Sequence, residues 1–331
     1  MATIDYDLSI LIPARNEMFI SNTVDDILKN KRGKTEIIVG LDGAWADPGI
    51  VDHPDVRIVH VSESRGQRGM TNTLAKLSKA KYLAKCDAHC SFDEGFDVKL
   101  MDAMKGHDGW TVVPIMRNLH AFNWRCRKCD KRYYQGPTPG TDKGIEKCDC
   151  GAFDFEREVV WFAKPSPNST TFCFDPEPHF QYFNDFKKRP EGKGDITPTM
   201  SLQGSFFMLT RDKYWELNIC DEKFGSWGSQ GIEVACKTWL SGGQVMCVQT
   251  TWYAHMFRTQ GGDFSFPYEQ KQSKVNEAKR HARNLFMKDK HGNYRWDKQV
   301  RPLSWLVEKF WPVYRWTDDD LKKLKEAENA H

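Results

Sequence analysis

The chain has 331 residues, of which 40% are hydrophobic and 28% are charged. This composition is typical of a globular protein with one large domain or two ordinary ones, and it excludes wholesale disorder. The 48 Lys and Arg residues nearly balance the 45 Asp and Glu residues, which leaves a net charge of +3 and excludes a polycation. Any contact with nucleic acid therefore has to come from a local basic patch.

The sequence predicts no membrane contact. Its longest apolar runs, such as Leu8 to Ile12, are far shorter than the roughly 18–20 residues that span a bilayer. The N-terminus carries acidic residues before that run, unlike the basic start of a signal peptide. Four of the 10 cysteines cluster at metal-ligand spacing rather than in the pattern of secreted disulfides. We therefore expect a cytoplasmic protein.

Strand and helix patterns alternate through residues 1–116. Apolar runs at 8–12, 36–41, 57–61, 82–85 and 111–116 predict strands. Helical spacing of apolar residues after the first and third runs predicts helices. Strands joined through helices predict an α/β fold with a mainly parallel central sheet flanked by helices, whose ligands gather at the carboxyl ends of the strands.

The pattern changes in the second part of the chain. Residues 117–152 are basic, contain cysteines and are rich in Gly and Pro, which predicts an insertion. Strand or helix patterns return at 155–163, 203–209, 231–240 and 268–289. In the C-terminal extension, 291–331, Thr317 followed by Asp320 has the spacing of a helix N-cap.

Asp87 and His89 follow the fourth predicted strand. Residues two apart in an extended segment point the same way, so a carboxylate and an imidazole can face one ion. One oxygen and one nitrogen ligand suit Mn²⁺ or a similar divalent ion better than a Ca²⁺ cage. Taken alone, the triplet from Asp87 to His89 also fits a turn at a strand end with a solvated Asp.

The segments LSILIPARNE, EIIVGLDGA and SRGQRGMTNTLAKLSKAKYLAKCDAHC resemble, in this order, the nucleotide-binding half of GT-A glycosyltransferases. The triplet with Cys90, and the later segments 197–209, 224–245 and 253–267, are most similar to the polypeptide N-acetylgalactosaminyltransferases. The resemblance implies a GT-A fold with its nucleotide-sugar half in 1–116 and its acceptor half in 153–290. It also implies metal-dependent transfer of a hexose or N-acetylhexosamine from a UDP-sugar to a hydroxyl group, with retention.

The resemblance also assigns roles to residues. Asp42 would read the nucleobase, with Pro13, Arg15 and Glu17 lining the same pocket. The full set expected to bind the nucleotide sugar is Pro13, Arg15, Glu17, Asp42, Arg65, Gly66, Asp87 and Gly204. His255 would join Asp87 and His89 as the third ligand of a Mn²⁺-type ion. Arg258 would face the diphosphate, where an Arg and a divalent ion stabilise the charge on the leaving group.

The expected catalytic set is Trp227, Gln230, Glu233 and Arg258. In the stretch between the acceptor and donor sites, Ser229, Gln230 and Gly231 stand where the family places other residues, including an acid. Gln230 cannot accept a proton usefully, which disfavours base-catalysed inversion from this position.

The cysteine pattern of residues 117–152 has no counterpart in that family. Cys126-x-x-Cys129 and Cys148-x-Cys150 can supply four thiolates to a structural Zn²⁺, with free surface thiols as the alternative. The basic residues Arg125, Arg127, Lys128, Lys131 and Arg132 surround the first pair, and Trp124, Tyr133 and Tyr134 are interleaved. Such a mixture suits phosphates and stacked bases, although a solvated charged face is equally common.

We therefore expect the acceptor to be a hydroxymethylpyrimidine in DNA, as in phage-infected bacteria. The first alternative is O-glycosylation of a protein or glycan. An alternative of another class is a nucleic-acid-binding zinc protein with an inactive transferase domain. A nucleotidyltransferase could share the sheet and the metal triplet, but the motifs of the second half argue against it.

Overall fold

The computed structural model describes residues 5–225, 228–258, 268 and 272–329. Strands and helices alternate through the first hundred residues, as the apolar spacing predicts. The elements are β1 (Leu8–Ala14), α1 (Ile20–Asn30), β2 (Thr35–Asp42), β3 (Val56–Val61), α2 (Gly66–Leu77), β4 (Tyr82–Cys86), β5 (Cys90–Phe92) and α3 (Phe96–Ala103).

The second part contains three long strands, of 17, 15 and 12 residues, among several short ones. Its strands are β6 (Trp110–Cys126), β7 (Arg132–Tyr134), β8 (Phe155–Ser169), β9 (Phe172–Phe174), β10 (Phe180–Tyr182), β11 (Ile196–Pro198), β12 (Phe206–Thr210) and β13 (Gln244–His255). Its helices are α4 (Arg211–Glu216), α5 (Gln230–Leu240), α6 (Gln272–Leu285), α7 (Leu303–Lys309) and α8 (Asp318–Asn329).

One large sheet organises the molecule, in the strand order β11-β13-β6-β12-β4-β1-β2-β3. Pairing is parallel among β4, β1, β2 and β3, as expected for strands joined by helical crossovers, and also between β6 and β13. Strand β12 lies between β4 and β6 and is antiparallel to both. The sheet is therefore mixed. Strand β12 is reached through a long connection rather than through a helical crossover from a neighbouring strand, so its direction need not match that of its neighbours.

Both faces of the central strands are covered. In β1, Leu8, Ile10 and Ile12 belong to one apolar cluster, and Leu11 belongs to the cluster on the other side of the sheet. Successive side chains of a strand point to opposite faces. A strand that is buried on both sides therefore reads as the uninterrupted apolar run seen in the sequence.

The cysteine insertion is the far end of a two-stranded ribbon. Strand β8 pairs with β6 antiparallel from end to end, with Ser169 opposite Met116 and Phe155 opposite Cys126. Strand β6 thus runs through the boundary expected between residues 116 and 117. The apolar pattern predicts only the first part of this strand, because β6 contains polar residues after Met116.

The C-terminal extension packs against the second half of the fold. Leu306, Val307 and Phe310 are buried in the same cluster as Trp239, whose ring centroid lies 5.6 Å from that of Phe310. Helix α8 begins with the expected cap, since the Asp320 amide N–H donates to Thr317 Oγ1 at 3.1 Å. In the described part of the chain, none of the helices has the length and apolar character needed to cross a membrane.

Candidate active site

Three potential metal ligands converge at the carboxyl ends of two strands. Asp87 and His89 follow β4, and His255 ends β13, where it pairs with Cys90. His255 Nε2 lies 3.1 Å from His89 Nε2 and 3.3 Å from Asp87 Oδ2. Two ligands at about 2.1 Å from one ion and at right angles to each other lie about 3 Å apart. The three side chains therefore fit a single divalent ion.

The protonation states also suit metal binding. Burial lowers the pKa of His255 to about 4, so its imidazole is neutral near pH 7. Burial alone would raise the pKa of Asp87, but Lys85 and His255 hold it well below its usual range. Lys85 is almost fully buried and donates to Asp87 and to the Gly204 carbonyl. The site thus offers an ionised carboxylate beside a neutral imidazole.

Glu17 lies beside this triad. Its carboxylate is 3.2 Å from His89 Nδ1 and forms an ion pair with Arg258. The side chains of all three residues are only 7% exposed. A carboxylate at Nδ1 fixes the imidazole so that Nε2 faces the ion. Asn16, with φ of 49°, makes the sharp turn after β1 that precedes Glu17.

Asp42 organises the start of α2. Its buried carboxylate accepts hydrogen bonds from Ser64 Oγ at 2.8 Å and from the amides of Arg65 and Gly66 at 2.6 and 3.0 Å. Arg15 Nη1 donates to the Asp42 carbonyl at 2.8 Å. The expected base-reading carboxylate thus lies at a helix N-terminus, where an anion is stabilised.

Two cavities meet at the triad. The smaller, of about 270 Å³, is lined by Pro13, Glu17, Gln67, Asp87, Ala88, His89, Gln203, His255, Phe257, Arg258 and Tyr268. The larger, of about 430 Å³, is lined by Gln67, Asp87, Pro178, His179, Phe180, Leu202, Gln203, Gly204, Ser205, Gly228, Ser229, Gln230, Gly231, Ile232 and Lys279. Gln67, Asp87 and Gln203 line both. The metal ligand Asp87 therefore stands at the junction of two adjoining spaces.

Sequence reasoning missed Gln67, Gln203 and Tyr268. Gln67 Nε2 lies 3.2 Å from Asp87 Oδ1, and the Gln203 side chain accepts the Ser205 amide at 2.6 Å. Burial and the nearby Asp42 carboxylate raise the pKa of Tyr268. Gln67 directly follows Arg65 and Gly66, which were expected to bind the nucleotide sugar. Its position next to them is the signal that could have placed Gln67 in the site.

Glu233 requires a correction. We expected it at the cleft, but it is fully buried and lines neither cavity. It accepts hydrogen bonds from Arg68 Nε at 3.0 Å, the Asp221 amide at 2.8 Å and Lys237 Nζ at 3.1 Å. Two cations and an amide already occupy this carboxylate, so its role is structural.

Arg68 extends the same network to the segment next to the larger cavity. Its guanidinium donates to the carbonyls of Gly225 at 3.0 Å and Gly228 at 2.6 Å. Trp227, which we expected to be catalytic, lies outside the described residues. Gln230 lines the larger cavity as expected, and its amide donates to Cys220 Sγ at 3.2 Å.

The four clustered cysteines come together at the end of the β6–β8 ribbon. The sulfur atoms of Cys126, Cys129, Cys148 and Cys150 all lie within 4.8 Å of one another. The Tyr133 hydroxyl donates to Cys148 Sγ at 3.3 Å and lowers the pKa of that thiol to about 6. Strand β6 pairs with His255 at Asn118, eight residues before Cys126, so the cluster is roughly 25 Å along the strand from the triad.

The basic residues around this cluster are largely neutralised within the ribbon. The ion pairs are Arg125 with Glu156 and Asp130, Arg127 with Glu156 and Asp154, Lys131 with Asp149, and Arg132 with Glu158. Trp124 is buried and donates from Nε1 to the Gly136 carbonyl at 3.1 Å. Tyr134 remains exposed. The expected basic and aromatic surface for nucleic acid is thus mostly paired or packed.

Comparison with known proteins shows which families the chain is similar to. Residues 9–161 match the family model "Glycosyl transferase family 2". The putative polypeptide N-acetylgalactosaminyltransferase 9 of Drosophila melanogaster is 23% identical, over 70% of this chain and 30% of that protein. The putative polypeptide N-acetylgalactosaminyltransferase 13 of the same species is 22% identical, over 80% of this chain and 44% of that protein. The chain thus spans less than half the length of these relatives.

A solved structure shows the same fold. The crystal structure of GalNAc-T7 with UDP, GalNAc and Mn²⁺ superposes with a TM-score of 0.61, covering 97% of this chain and 55% of that one, at 16% identity. The expected fold is confirmed, with a mixed sheet flanked by helices.

Proposed function

We propose that this chain, which has the GT-A fold and matches a glycosyl transferase family 2 model over residues 9–161, moves a hexose or N-acetylhexosamine from a UDP-sugar to a hydroxyl group of a protein. The observation that carries this proposal is the junction of two cavities at Asp87. The smaller would hold the diphosphate, between the triad and Arg258. The larger would receive the acceptor.

Mn²⁺ or a similar divalent ion would be held by Asp87, His89 and His255. Such an ion supplies positive charge where the diphosphate leaves. Residues of the chain itself would bind the diphosphate and orient the ligands of the ion. Arg258 lies beside the triad and can bind the diphosphate oxygens. Glu17 orients His89 and Arg258 at once through its two oxygen atoms.

A protein acceptor is better supported than DNA. The named relatives are polypeptide N-acetylgalactosaminyltransferases, and the solved structure contains UDP and GalNAc. The cations of the β6–β8 ribbon, on which the DNA hypothesis depended, are mostly paired with carboxylates. Paired charges contribute little to the counterion release that drives DNA binding.

The lining of the larger cavity also supports a proposal of retained configuration. Among the described residues that line it, Asp87 is the one carboxylate, and we assign it to the metal. Gln230 stands where a general base would be needed and cannot serve as one. We therefore propose that the leaving diphosphate, rather than a side chain, takes the proton of the acceptor hydroxyl.

We also propose a structural Zn²⁺ at the cysteine cluster. Zn–S bonds of about 2.3 Å place tetrahedral sulfur atoms about 3.8 Å apart. The Cys126 and Cys150 sulfur atoms are 3.7 Å apart, and those of Cys129 and Cys148 are 3.5 Å apart. A disulfide needs two sulfur atoms about 2.05 Å apart. The cluster therefore suits zinc better than oxidation to disulfides.

The test offers the protein a panel of UDP-sugars with Mn²⁺ and a Ser- and Thr-containing peptide library, and hydroxymethylcytosine DNA in a parallel arm. Mass spectrometry should find a hexose or N-acetylhexosamine on peptides, and NMR of the first product should show the anomer of the donor. Transfer to DNA alone would refute the protein acceptor. An inverted anomer would refute the proposed proton route.

A further inference from the structure

A basic wall continues the larger cavity. Helix α6 presents Asn276, Lys279, Arg280 and Arg283 along one face, at the helical spacing of three and four residues. These residues and the segment Glu177 to His179 line a second space of about 330 Å³. His179 and Lys279 also line the cavity that contains Asp87 and Gln230. The two spaces therefore form one continuous cleft.

Among the described residues, carboxylates pair with only some of these charges. Arg283 pairs with Glu177, and His179 Nδ1 lies 3.0 Å from Asp175 Oδ1. For Lys279 and Arg280, the described residues provide no carboxylate within 4.0 Å. The cleft therefore carries two adjacent positive charges that a bound molecule can neutralise.

The size of the larger cavity limits the distance between these charges and the reacting hydroxyl. A cavity of 430 Å³ is about 9 Å across if roughly spherical, which is about three residues of extended chain. Lys279 lines the same cavity as Asp87 and Gln230, so a peptide whose hydroxyl reaches the junction can bring a neighbouring side chain to Lys279.

We infer that the acceptor is an acidic peptide, with an Asp or Glu within about three residues of the modified Ser or Thr. Lys279 and Arg280 would bind that carboxylate through charge-assisted hydrogen bonds. The inference rests on the proposed protein acceptor. Duplex DNA fits less well, because strong DNA binding uses about 6–10 phosphate contacts, and the described residues that line this cleft include two cations without a carboxylate partner among the described residues.

The test measures binding of two labelled nonapeptides to the full chain with Mn²⁺ and UDP. One carries a central Thr flanked by Asp at two positions, and the other carries Asn instead. We expect the Asp peptide to bind about fivefold to tenfold more tightly, as one or two partly buried ion pairs would give. The preference should disappear in the double variant Lys279→Ala/Arg280→Ala.

Charge reversal gives a sharper result. The variant Lys279→Glu/Arg280→Glu should prefer a peptide with Lys in place of Asp. The matched control is Lys322→Glu on α8, whose side chain is exposed and lines neither part of the cleft. It should keep the preference for Asp.

The outcomes separate the two proposals. Equal binding of the Asp and Asn peptides by the unmodified chain would overturn the acidic preference, even if sugar transfer to peptides is found. Tighter, steeply salt-dependent binding of a 20-base-pair duplex would overturn it in favour of nucleic acid. A clear Asp preference without sugar transfer to any peptide would instead count against the proposed activity.

Discussion

Glu17 provides a specific test of how the site is organised. Its carboxylate contacts His89 Nδ1 at 3.2 Å and Arg258, and all three side chains are nearly buried. The substitution Glu17→Gln keeps the size of the side chain and removes its charge. The amide has a single acceptor oxygen, so it cannot accept from both His89 Nδ1 and Arg258, and Arg258 loses its counterion.

The expected size of the effect follows from comparable metal sites. Removing a partner of a metal-bound imidazole lowers metal affinity or activity about 10–100-fold, which corresponds to about 1.4–2.8 kcal/mol. We expect the Mn²⁺ concentration for half-maximal UDP release to rise by that factor. Mn²⁺ binding measured by electron paramagnetic resonance without donor should weaken in parallel.

Two controls make this result interpretable. Glu326→Gln changes an exposed carboxylate on α8 and should leave Mn²⁺ affinity unchanged. Thermal unfolding without metal should show whether Glu17→Gln has merely loosened the fold. Unaltered Mn²⁺ affinity and unaltered UDP release in Glu17→Gln would refute the positioning role.

Three further predictions concern the triad, the zinc cluster and the buried network. Asp87→Asn should abolish Mn²⁺-stimulated UDP release, because it removes the charged ligand; full stimulation in that variant would contradict the assignment. Protein purified without added metal should contain about one Zn per chain, and Cys126→Ser should lose it while Cys247→Ser, a buried thiol outside the cluster, keeps it. Glu233→Ala should lower the free energy of unfolding by about 3–5 kcal/mol, because it leaves Arg68 buried without its counterion and leaves Lys237 with the more distant carboxylate of Asp221, at 3.6 Å. The exposed pair of Glu308 with Lys325 is the comparison, since Glu308→Ala should cost about 1 kcal/mol or less in denaturant unfolding.

The elements of the first half are predictable because burial leaves a simple pattern. Strand β1 is covered on both faces and reads as a continuous apolar run, and α1 follows it with apolar residues at helical spacing. Asp87 and His89 are predictable for a related reason, because they follow the end of a strand, where the topology of such sheets gathers ligands. His255 is predicted as the third ligand only through the family resemblance.

Contacts between residues far apart in the sequence could not be predicted. Glu17 and Arg258 are separated by 241 positions, and Arg68 and Glu233 by 165. The sequence shows Glu233 four residues before Lys237, the spacing of a helical ion pair, but it does not show that Arg68 also binds the Glu233 carboxylate. Only the packing of α2 against α5 determines that.

The charges of the insertion illustrate the same limit. The sequence shows Arg125 and Arg132 beside aromatic residues, which is a pattern typical of nucleic-acid contacts. Their partners Glu156 and Glu158 lie on β8, more than twenty positions later, and meet them only through the antiparallel register of the ribbon. Composition therefore predicted a basic surface that pairing across the ribbon neutralises.

The most direct test of the central claim is sugar transfer by the unmodified chain and by Asp87→Asn, each with a UDP-sugar and a Thr-containing acidic peptide, as Mn²⁺ is raised from a chelated baseline. We predict glycopeptide formation that depends on Mn²⁺ in the unmodified chain and is lost in the variant. Equal glycopeptide formation by both proteins, or formation that ignores Mn²⁺, would contradict a metal-dependent transferase centred on Asp87, His89 and His255.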